Sequence, residues 1–528
     1  MSDKSETGAP EYRSVLARLR AHAERIPDKI CLQSIDQDSA ITWKGLYDAC
    51  NQVAGALAAR GIKANDRVVV LTNNSLENLI LYFGVQRYGA TFCTVNVEIN
   101  QEHLREIVTR LDPKLVLWHD ALDPDRLDIG SHGEWASFGT WGDADEGDAN
   151  GGDADEGGFF AEVAGYPKTP EVPEVCGPED ISVICFTSGT SDKPKGVMHS
   201  FSNYLLIGEQ TKYLWGLEES DRVLEYRSFS WSSSHQICLN PTLAAGNTLI
   251  FAQKYSQSRF FDWVRDFQPT VVIGIPTVVS MLLNRPKDAN DELLRSLRFM
   301  SCSTSPLLGD QHLEFEERYG IKLIQHYGMS EGGTVAGNHF ARRRIGSVGN
   351  PGMLQNLAII DDEGNALPTG REGEIEIGGP QNAFGYLMED GSVERVRGQR
   401  LRTGDIGHLD EDGYLTITGR AKDLVIRGGV NIAPLEIDNA IMRHPDVFEV
   451  STVGVPDAIY GEELVSYIVA RPGATLTEAA LAAHCAEVLP AFKRPKALIL
   501  TDAIARNDRG KIDRRAMAER WQEAQAGG

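Results

Sequence analysis

A loop rich in hydroxyls, glycines and lysines carries the clearest chemical signal in this sequence. It occupies residues 186–200 and follows residues 181–185, an apolar and β-branched run that predicts a buried strand. Glycines let backbone N–H groups approach a ligand, threonine and serine add short donors, and lysines add positive charge, a combination that suits phosphate. The residues concerned are Thr187, Ser188, Gly189, Thr190, Lys193 and Lys195. No Walker pattern fits here and an ordinary surface loop is the alternative, but we expect ATP to bind this loop.

A second group of chemical side chains lies at residues 325–331, directly after a predicted strand at 321–324. Tyr327 offers an aromatic face for a base, Ser330 a hydroxyl for a phosphate, and Glu331 a carboxylate for Mg²⁺. Open α/β sheets bind ligands at the carboxyl ends of their strands, which is where this segment is predicted to lie. Taken alone, a Tyr-Gly turn before a helix is the commoner explanation.

Three further segments mix charge with glycine. Residues 402–405 precede a predicted strand, and Asp405 could bind ribose hydroxyls there, or the segment is only a turn. Residues 419–432 lie where the composition changes, which is typical of a linker or of a hinge that also contacts ligand. Residues 507–515 are a basic island in an acidic protein, and Lys511, which follows a glycine, could reach a phosphate site or remain solvated.

The elements that must position these groups alternate between strand and helix up to about residue 325. Thr42, for example, is expected to cap a helix that ends before Gly61. This alternation predicts an α/β fold with a mainly parallel sheet covered by helices. From about residue 345, short strands and turn signals predict a small antiparallel β unit. The tail from about residue 423 is long enough for a separate, small α+β domain.

One acidic stretch interrupts this pattern. Residues 142–147 recur as residues 152–157, each a run of Gly, Asp, Ala, Asp, Glu and Gly. Acids alternating with glycine resemble a calcium loop, but the closing bidentate glutamate is missing. We therefore expect a mobile, solvated insertion at about residues 142–158.

The composition is that of an ordinary globular protein. Its 528 residues exceed what one hydrophobic core usually serves, so two or more domains are expected. The net charge of −23 argues against nucleic acid and anionic membrane as partners, and no run approaches the roughly 18 apolar residues of a spanning helix. The eight cysteines are scattered and the N-terminus lacks a signal-peptide pattern. We therefore expect reduced thiols, no Cys/His metal site and a cytoplasmic location.

In this order, the segments resemble the AMP-forming acyl-adenylating superfamily, which comprises acyl- and aryl-CoA ligases, adenylation domains of peptide synthetases and firefly-type luciferases. The resemblance covers residues 12–515 and is strongest to a stand-alone acyl-CoA ligase. It implies a large N-terminal domain of helix-flanked sheets plus a distorted β-barrel, at residues 1–421. It also implies a small, mobile α+β lid at residues 422–528, hinged at Lys422.

The resemblance also implies roles for individual residues. Tyr327 would lie against adenine, Ser330 would contact the α-phosphate and Glu331 would hold Mg²⁺. Asp405 and Arg420 would bind the ribose. The phosphate loop and these five residues would together hold MgATP.

Further residues match the strip beside adenine and the lid. Ser303, Thr304 and Ser305 match the strip, with hydroxyls where the family usually has glycine or alanine. Lys511 matches the lid lysine needed for adenylation. Gly428 and Gly429 would reach the site after the lid rotates, leaving room for a pantetheine arm.

The acyl pocket departs from the family's pattern. Trp231 stands where a gating histidine is usual, and His326 stands where a small residue is frequent. As a bulky wall, Trp231 would shorten the pocket, and nearby hydroxyls with His235 could serve a polar or ring-bearing acid. Equally, these side chains could face helix neighbours and touch no substrate.

The function that the resemblance implies is an ATP-dependent carboxylic acid–CoA ligase with ATP, Mg²⁺ and coenzyme A. Acid and MgATP would give acyl-AMP and pyrophosphate, and the CoA thiol would then displace AMP. One alternative is a stand-alone adenylating enzyme whose acceptor is a carrier-protein pantetheine or an amine. Another is a catalytically silent sensor of nucleotide or acyl groups. The partners are then small molecules, and the oligomeric state, monomer or homodimer, is left open.

Overall fold

The protein is described by a computed structural model that covers residues 10–123, 127, 132–141, 158–186, 195–284, 291–305, 307, 309–506 and 512–526. Among these residues the strands form four sheets. In chain order, sheet B begins at Ile30, sheet A at Arg67, sheet C at Asn356 and sheet D at Val425. The acidic insertion expected at residues 142–158 lies outside the described residues except for Gly158.

Sheet B contains the residues of the second predicted site. Six of its strands, from β1 to β13, run parallel to their neighbours, and antiparallel strands complete its two edges. Its described strands are β1 (Ile30–Ser34), β2 (Ser39–Thr42), β9 (Arg222–Glu225), β10 (Thr248–Phe251), β11 (Val271–Gly274), β12 (Phe299–Cys302), β13 (Leu323–Met329), β14 (Gly333–Gly337) and β15 (Asn350–Pro351).

Sheet A contains the strands that flank the predicted phosphate loop. Parallel strands form its centre, and an antiparallel edge begins where β7 meets β8. Its described strands are β3 (Arg67–Leu71), β4 (Thr91–Thr94), β5 (Leu115–His119), β6 (Glu134–Phe138), β7 (Ile181–Phe186), β8 (Gly196–Ser200), β18 (Gly385–Leu387) and β19 (Val393–Arg395).

Helices cover both sheets, as the strand–helix alternation predicts. They are α1 (Val15–Arg25), α2 (Trp43–Ala59), α3 (Leu76–Tyr88), α4 (Gln101–Leu111), α5 (Gly158–Ala164), α6 (Phe201–Trp215), α7 (Ser232–Ser234), α8 (Asn240–Ala245), α9 (Phe260–Phe267), α10 (Pro276–Asn284), α11 (Asp291–Leu294) and α12 (Gly309–Tyr319). Thr42 caps α2 as predicted, because its hydroxyl accepts a hydrogen bond from the Gly45 N–H at 3.1 Å.

The main hydrophobic core lies between sheets A and B. It joins α2, α3 and α6 to strands of both sheets, with Trp43, Trp215 and Tyr204 fully buried. A second core lies on the other face of sheet B, under α9, α10 and α12. Burial on both faces explains why the central strands are continuous apolar runs rather than alternating ones.

Sheet C is the predicted antiparallel β unit. Its strands are β16 (Asn356–Ile360), β17 (Gly373–Gly378), β20 (Leu401–Leu409) and β21 (Leu415–Arg420), paired in that order. Among the described residues no pairing joins β16 to β21, so the barrel-like unit is an open sheet by its hydrogen bonds. Asp405 lies within β20, which corrects the prediction that residues 402–405 precede a strand.

The C-terminal residues form a mixed α/β unit with cores of their own. Sheet D contains β22 (Val425–Arg427), β23 (Val430–Ile432), β24 (Val447–Asp457), β25 (Gly461–Ala470) and β26 (Ala497–Leu500). Its helices are α13 (Pro434–Ile441), α14 (Glu478–Val488) and α15 (Arg514–Ala526). The separate cores support a domain boundary near Lys422, which stays a prediction.

No helix within the described part of the chain is long and apolar enough to cross a bilayer.

Candidate active site

Strands β7 and β8 hold the ends of the predicted phosphate loop. They pair antiparallel with Phe186 opposite Gly196, so the two ends of the loop lie on neighbouring strands of sheet A. The predicted loop residues Thr187, Ser188, Gly189, Thr190 and Lys193 lie outside the described residues. Lys195 is described, and its Nζ lies 5.3 Å from the centre of the Tyr386 ring.

Tyr386 links Lys195 to Glu331. Its hydroxyl donates a hydrogen bond to Glu331 Oε1 at 3.3 Å, and its strand β18 pairs with β8. Burial raises the pKa of Glu331, while the Tyr386 hydrogen bond and Lys195 act in the opposite direction. Glu331 is partly buried and has one long side-chain hydrogen bond to the residues that the structure describes. Such a carboxylate is an oxygen donor of the kind that Mg²⁺ prefers, so Glu331 fits the metal role predicted for it.

Ser330 is held from two sides. Its backbone carbonyl accepts hydrogen bonds from Gln236 Nε2 and His199 Nε2, both at 2.8 Å, and its hydroxyl lies 3.0 Å from Ser232 Oγ. Burial lowers the pKa of His199 to about 4, so the ring is neutral near pH 7. Asn203 Nδ2 donates to His199 Nδ1 at 2.7 Å, which leaves the proton on Nε2 for Ser330.

Tyr327, Asp405 and Arg420 meet although they are far apart in sequence. The Tyr327 hydroxyl donates to Asp405 Oδ2 at 2.6 Å, and Arg420 Nε lies 2.8 Å from Asp405 Oδ1. Asp405 and Arg420 are register partners on β20 and β21. Burial and the neighbouring Asp405 carboxylate raise the pKa of Tyr327, which keeps its hydroxyl protonated. The structure therefore brings together the three residues that the resemblance assigns to adenosine.

Tyr327 itself lies on a strand, contrary to the sequence prediction. Strand β13 continues to Met329 because it folds back on β14, with Tyr327 opposite Ala336. The turn at residues 330–332 then places Ser330 and Glu331 at the end of this hairpin.

The predicted adenine strip follows β12. Ser303 is buried, and its Oγ has no hydrogen-bond partner among the described residues. Thr304 has a φ of 75°, an unfavourable backbone conformation for a β-branched residue, and such strain concentrates at functional sites. Ser305 is exposed at the end of the strip.

The predicted acyl-pocket residues separate into two groups. Trp231 precedes α7, which continues as one π-helical turn at His235–Leu239, and π-bulges are frequent at functional sites. His235 is fully buried, with Nε2 bonded to the Phe229 carbonyl at 2.6 Å and Nδ1 to the Tyr204 hydroxyl at 2.9 Å. His235 is therefore turned towards the core, and we do not retain it as a pocket residue.

His326 differs from His235 in its hydrogen bonding. It is buried, its ring packs edge-on against Trp215 with centres 4.8 Å apart, and neither ring nitrogen makes a well-formed hydrogen bond to a described residue. Burial, with the charge of Arg227, lowers the pKa of His326 to about 3, against a small opposing effect of the Ile324 carbonyl. It remains a proposed pocket residue.

The predicted lid residues lie in the C-terminal unit. Lys422 is exposed in a short 3-10 turn at Ala421–Asp423, directly after sheet C. Gly428 and Gly429 have φ values of 58° and 84° and form the turn between β22 and β23, which explains the need for glycine at both. Lys511 lies outside the described residues.

Several residues around the site were missed by sequence reasoning. His199, Gln236 and Tyr386 position Ser330 and Glu331, and Glu225 with Arg227 forms a buried ion pair beside α7. Glu225 ends a parallel strand, the position at which ligand contacts are expected, and this was a usable signal. His199 and Tyr386 act through pairing between distant strands, which a sequence pattern does not reveal.

The two large helix-flanked sheets, the antiparallel unit and the small terminal unit together form the fold of adenylate-forming enzymes. The chain belongs to the AMP-binding enzyme family: residues 19–387 match that family, and residues 436–511 match the family's C-terminal domain.

Two curated relatives extend over almost the whole chain. The sulfoacetate–CoA ligase of Cupriavidus necator is 31% identical over 512 residues, covering 96% of this chain and 97% of the relative. The oxalate–CoA ligase of Arabidopsis thaliana is 30% identical over 513 residues, covering 95% and 97%.

The solved structure of ATP-bound MatB from Rhodopseudomonas palustris superposes with a TM-score of 0.83 at 28% identity, covering 96% of this chain and 99% of that one. The apo form of the same protein gives a TM-score of 0.77 at 28% identity, covering 97% and 99%.

Proposed function

We propose that this protein is an ATP-dependent, AMP-forming ligase that joins a carboxylic acid to coenzyme A. The observation that carries the proposal is the meeting of Tyr327, Asp405 and Arg420 next to Ser330 and Glu331. Glu331 is in turn bonded to Tyr386 on β18, the neighbour of β8. Membership of the AMP-binding enzyme family and two relatives named as CoA ligases support the same reaction.

The nucleotide side of the site follows from the chemistry of these groups. The Tyr327 ring would lie against adenine, while Asp405, oriented by Arg420 and the Tyr327 hydroxyl, would accept hydrogen bonds from the ribose hydroxyls. Ser330 would donate to the α-phosphate, and Glu331 would ligate Mg²⁺ together with phosphate oxygens. Mg²⁺ commonly has only one or two protein carboxylates in such sites.

The first half-reaction needs positive charge at the α-phosphate. A carboxylate has no adequate leaving group for a thiol, so its oxygen attacks the α-phosphate of ATP and releases pyrophosphate. Negative charge then gathers on the phosphoryl oxygens, and the loop lysines, Lys511 and backbone donors would stabilise it. Rigid support of Ser330 by His199 and Gln236 would keep its hydroxyl directed at this centre without reorganisation.

The second half-reaction needs access for a thiol. The thiolate sulfur attacks the acyl carbonyl carbon of acyl-AMP, the C–O bond to phosphate breaks, and AMP leaves. Rotation about Lys422 would withdraw Lys511 and bring Gly428 and Gly429 to the site, where the lack of side chains leaves room for a pantetheine arm. The exposed positions of Lys422 and of both glycines are compatible with such a movement.

The acid is proposed to be short and polar. The sulfoacetate–CoA and oxalate–CoA ligases are named for short acids that carry a second acidic group, and they cover nearly the full chain. Trp231 on one side and the Trp215–His326 pair on the other would limit the length of the pocket. A cytoplasmic location is proposed on the cysteines, all of which are free thiols.

The test is a panel of acids assayed for pyrophosphate and AMP with and without CoA. The proposal expects AMP formation with the matching acyl-CoA, whereas pyrophosphate exchange without a thioester would favour a carrier-protein or amine acceptor. Absence of pyrophosphate and AMP with every acid would favour the sensor alternative.

A second test concerns the lid. Lys511→Ala should abolish adenylation but largely spare thioester formation from supplied acyl-AMP, and Lys496→Ala, at an exposed lysine, serves as its control. Equal loss of both half-reactions in Lys511→Ala would refute the lid assignment.

A further inference from the structure

We propose that Arg227, His326 and Ser303 bind a second anionic group of the acid substrate, a carboxylate or a sulfonate, at the end of the pocket remote from the reacting carboxylate. The inference rests on the proposed function, because it concerns the acid that the ligase activates. Arg227 and His326 have no role in the proposed nucleotide chemistry, and Ser303, predicted as part of the strip beside adenine, gains a second role.

Arg227 is held rigidly by Glu225, and one edge of its guanidinium group is not bonded to that carboxylate. Glu225 is fully buried at the end of β9, and its Oε1 accepts hydrogen bonds from the backbone N–H groups of Tyr226 and Arg227, both at 2.9 Å. The same carboxylate binds Arg227 Nε at 3.0 Å and Nη2 at 2.5 Å. Within the described part of the chain the remaining nitrogen, Nη1, makes only a long contact of 3.4 Å to Ser233 Oγ. Its N–H donors are therefore available to a ligand.

His326 and Ser303 lie side by side. Strands β12 and β13 are parallel, and their last register pair is Cys302 with Gln325. Ser303, which directly follows β12, is therefore expected beside His326 of β13, just past the end of this parallel pairing. Neighbouring register positions direct their side chains to the same face of a sheet. Both residues are at least nine-tenths buried.

These two side chains have unused hydrogen-bonding capacity. Among the described residues, the Ser303 hydroxyl and the two ring nitrogens of His326 have no well-formed hydrogen bond. Buried polar groups are nearly always paired, because an unpaired one keeps its full desolvation cost. Two adjacent exceptions at the carboxyl end of a sheet indicate a polar ligand group at that position.

The strand register places Arg227 at the same level. Strand β11 pairs Val272 with Leu224 of β9 and Gly274 with Cys302 of β12, so Arg227, three residues after Leu224, is expected level with Ser303. The positive charge of Arg227 also contributes to the low pKa of His326, about 3. The imidazole is consequently neutral near pH 7 and presents one N–H donor. Packing against Trp215 fixes the orientation of the ring.

The donors favour an anion over an alkyl group. An imidazole N–H, a hydroxyl and a guanidinium N–H can all donate to carboxylate or sulfonate oxygens, and hydrogen bonds to charged groups are the stronger ones. An alkyl end would leave the same donors unpaired, which is the situation in which enzymes discriminate most sharply. Glu225 neutralises Arg227 from the opposite edge, so the donors are held in place without the anion.

The spacing indicates a short acid. Ser232 touches Ser330, the residue proposed to contact the α-phosphate, while the adjacent Ser233 touches Arg227. Consecutive Cα atoms are about 3.8 Å apart. We therefore expect a short acid, in which few carbon atoms separate the reacting carboxylate from the second anionic group.

The experiment compares malonate and sulfoacetate with butyrate as substrates for pyrophosphate release. For the wild type we expect kcat/KM to favour the two diacids by about 30-fold or more. Arg227→Lys keeps a cation for Glu225 but removes the forked Nη1, and His326→Phe keeps the contact with Trp215 but removes the N–H. Each should reduce the diacid-to-butyrate ratio by about tenfold or more, a ratio that general loss of structure would not change.

Arg298 provides the matched control. It pairs with the carboxylate of Asp221 just before the other end of β9, with Nη1 at 2.7 and 2.5 Å from the two oxygens, and it lies outside the proposed pocket. Arg298→Lys should therefore keep the wild-type ratio, and thermal melting of all three variants reports on folding.

A wild type that prefers butyrate, or an unchanged ratio in both Arg227→Lys and His326→Phe, would overturn the inference while leaving the ligase function in place. Absence of adenylation with any acid would instead refute the proposed function. Calorimetric binding of malonate alone would then decide the inference. Binding that is lost in Arg227→Lys but kept in Arg298→Lys supports it, and equal or absent binding overturns it.

Discussion

The Tyr327 hydroxyl donates a hydrogen bond to Asp405 across 2.6 Å, and this contact joins the end of β13 in sheet B to β20 in sheet C. Arg420, the register partner of Asp405, binds the other carboxylate oxygen. Each of the three side chains therefore fixes another, and the proposed adenosine site depends on how two sheets are packed rather than on one local motif.

Tyr327→Phe should weaken ATP binding. The ring is retained for stacking, but Asp405 loses one of its two orienting partners, and a hydrogen bond to a charged group is worth about 1.5–3 kcal/mol. We expect the KM for ATP to rise about tenfold or more, with a smaller effect on kcat, in steady-state pyrophosphate release. Tyr319→Phe is a suitable control, because its hydroxyl also bonds within the core, to the Leu282 carbonyl, but on the far side of sheet B. A similar KM in both variants would contradict the role of Tyr327.

Glu331 should make Mg²⁺ binding dependent on pH. Its pKa is raised above the ordinary 4.5, mainly by burial, and the metal binds only the ionised carboxylate. The Mg²⁺ concentration for half-maximal activity should therefore rise as the pH falls from about 8 to about 5. In Glu331→Gln the activity should fall steeply. The titration of ATP itself cancels from the ratio of wild-type to variant activity, and this ratio should decrease at low pH. A constant ratio would contradict the assignment.

The same shift has a consequence for stability. A carboxyl group whose pKa is raised by folding stabilises the folded state at low pH, and this contribution is lost as the pH rises through the raised value. Near pH 7 the ionised Glu331 is thus a cost to the metal-free protein. Glu331→Gln should melt at the same or a higher temperature than the wild type without Mg²⁺, a combination of stability gained and activity lost that is typical of functional residues.

Much of the fold was predictable from the sequence, because local patterns and tertiary structure agree. Apolar β-branched runs became the central strands, and Thr42 caps α2 as expected. Prediction was less accurate where pairing with a neighbouring strand extends a strand beyond its local sequence pattern. Residues 327–329 and 402–405 contain glycine and look like turns, yet both belong to strands because an antiparallel neighbour supplies their hydrogen bonds.

The site was predictable where residue type alone specifies chemistry, as for the tyrosine, the aspartate and the arginine of the proposed adenosine site. The site was not predictable where the role of a residue depends on the direction in which its side chain points. His235 lies in a polar stretch, yet the Tyr204 hydroxyl and the Phe229 carbonyl turn it into the core. Arg227 gave no motif, since its importance comes from Glu225 two residues away and from His326 on another strand.

Buried histidines should make the protein sensitive to mild acid. Burial lowers the pKa of His199 and His235 to about 4, and of His326 to about 3, below the ordinary 6.5. The unfolded chain therefore binds protons that the folded chain does not, and stability falls as the pH drops from 6.5 towards 4, by up to about 3 kcal/mol for each histidine. Asp438, whose pKa is raised to about 6, acts in the opposite direction over part of this range.

The check is the urea midpoint of wild type and His235→Asn at about pH 7.5 and about pH 5. The variant is expected to be less stable at both values, because it loses packing and hydrogen bonds, but its midpoint should fall less on acidification. Equal shifts in both proteins would show that His235 does not carry the pH dependence.

Arg471 and Glu314 connect the C-terminal unit to helix α12. The guanidinium meets the carboxylate with both nitrogens, at 3.2 and 2.8 Å, and Gln311 on the same helix donates to the Phe448 carbonyl at 3.4 Å. We predict that this placement of the C-terminal unit is the one in which adenylation takes place, so the pair should favour the first half-reaction.

Glu314→Arg should shift the protein away from this arrangement. Both side chains are about one-third exposed, with 34% and 35% of their surface accessible, so the pair is worth only about 1 kcal/mol, or about a fivefold change in population. The rate of adenylation should fall several-fold, while thioester formation from supplied acyl-AMP should not fall. The double variant Glu314→Arg/Arg471→Glu restores the opposite charges and should recover adenylation. The same exchange at Arg515 and Glu519, an exposed pair within α15, should change neither half-reaction. Unchanged adenylation in Glu314→Arg, or no recovery in the double variant, would show that the ion pair does not hold the lid.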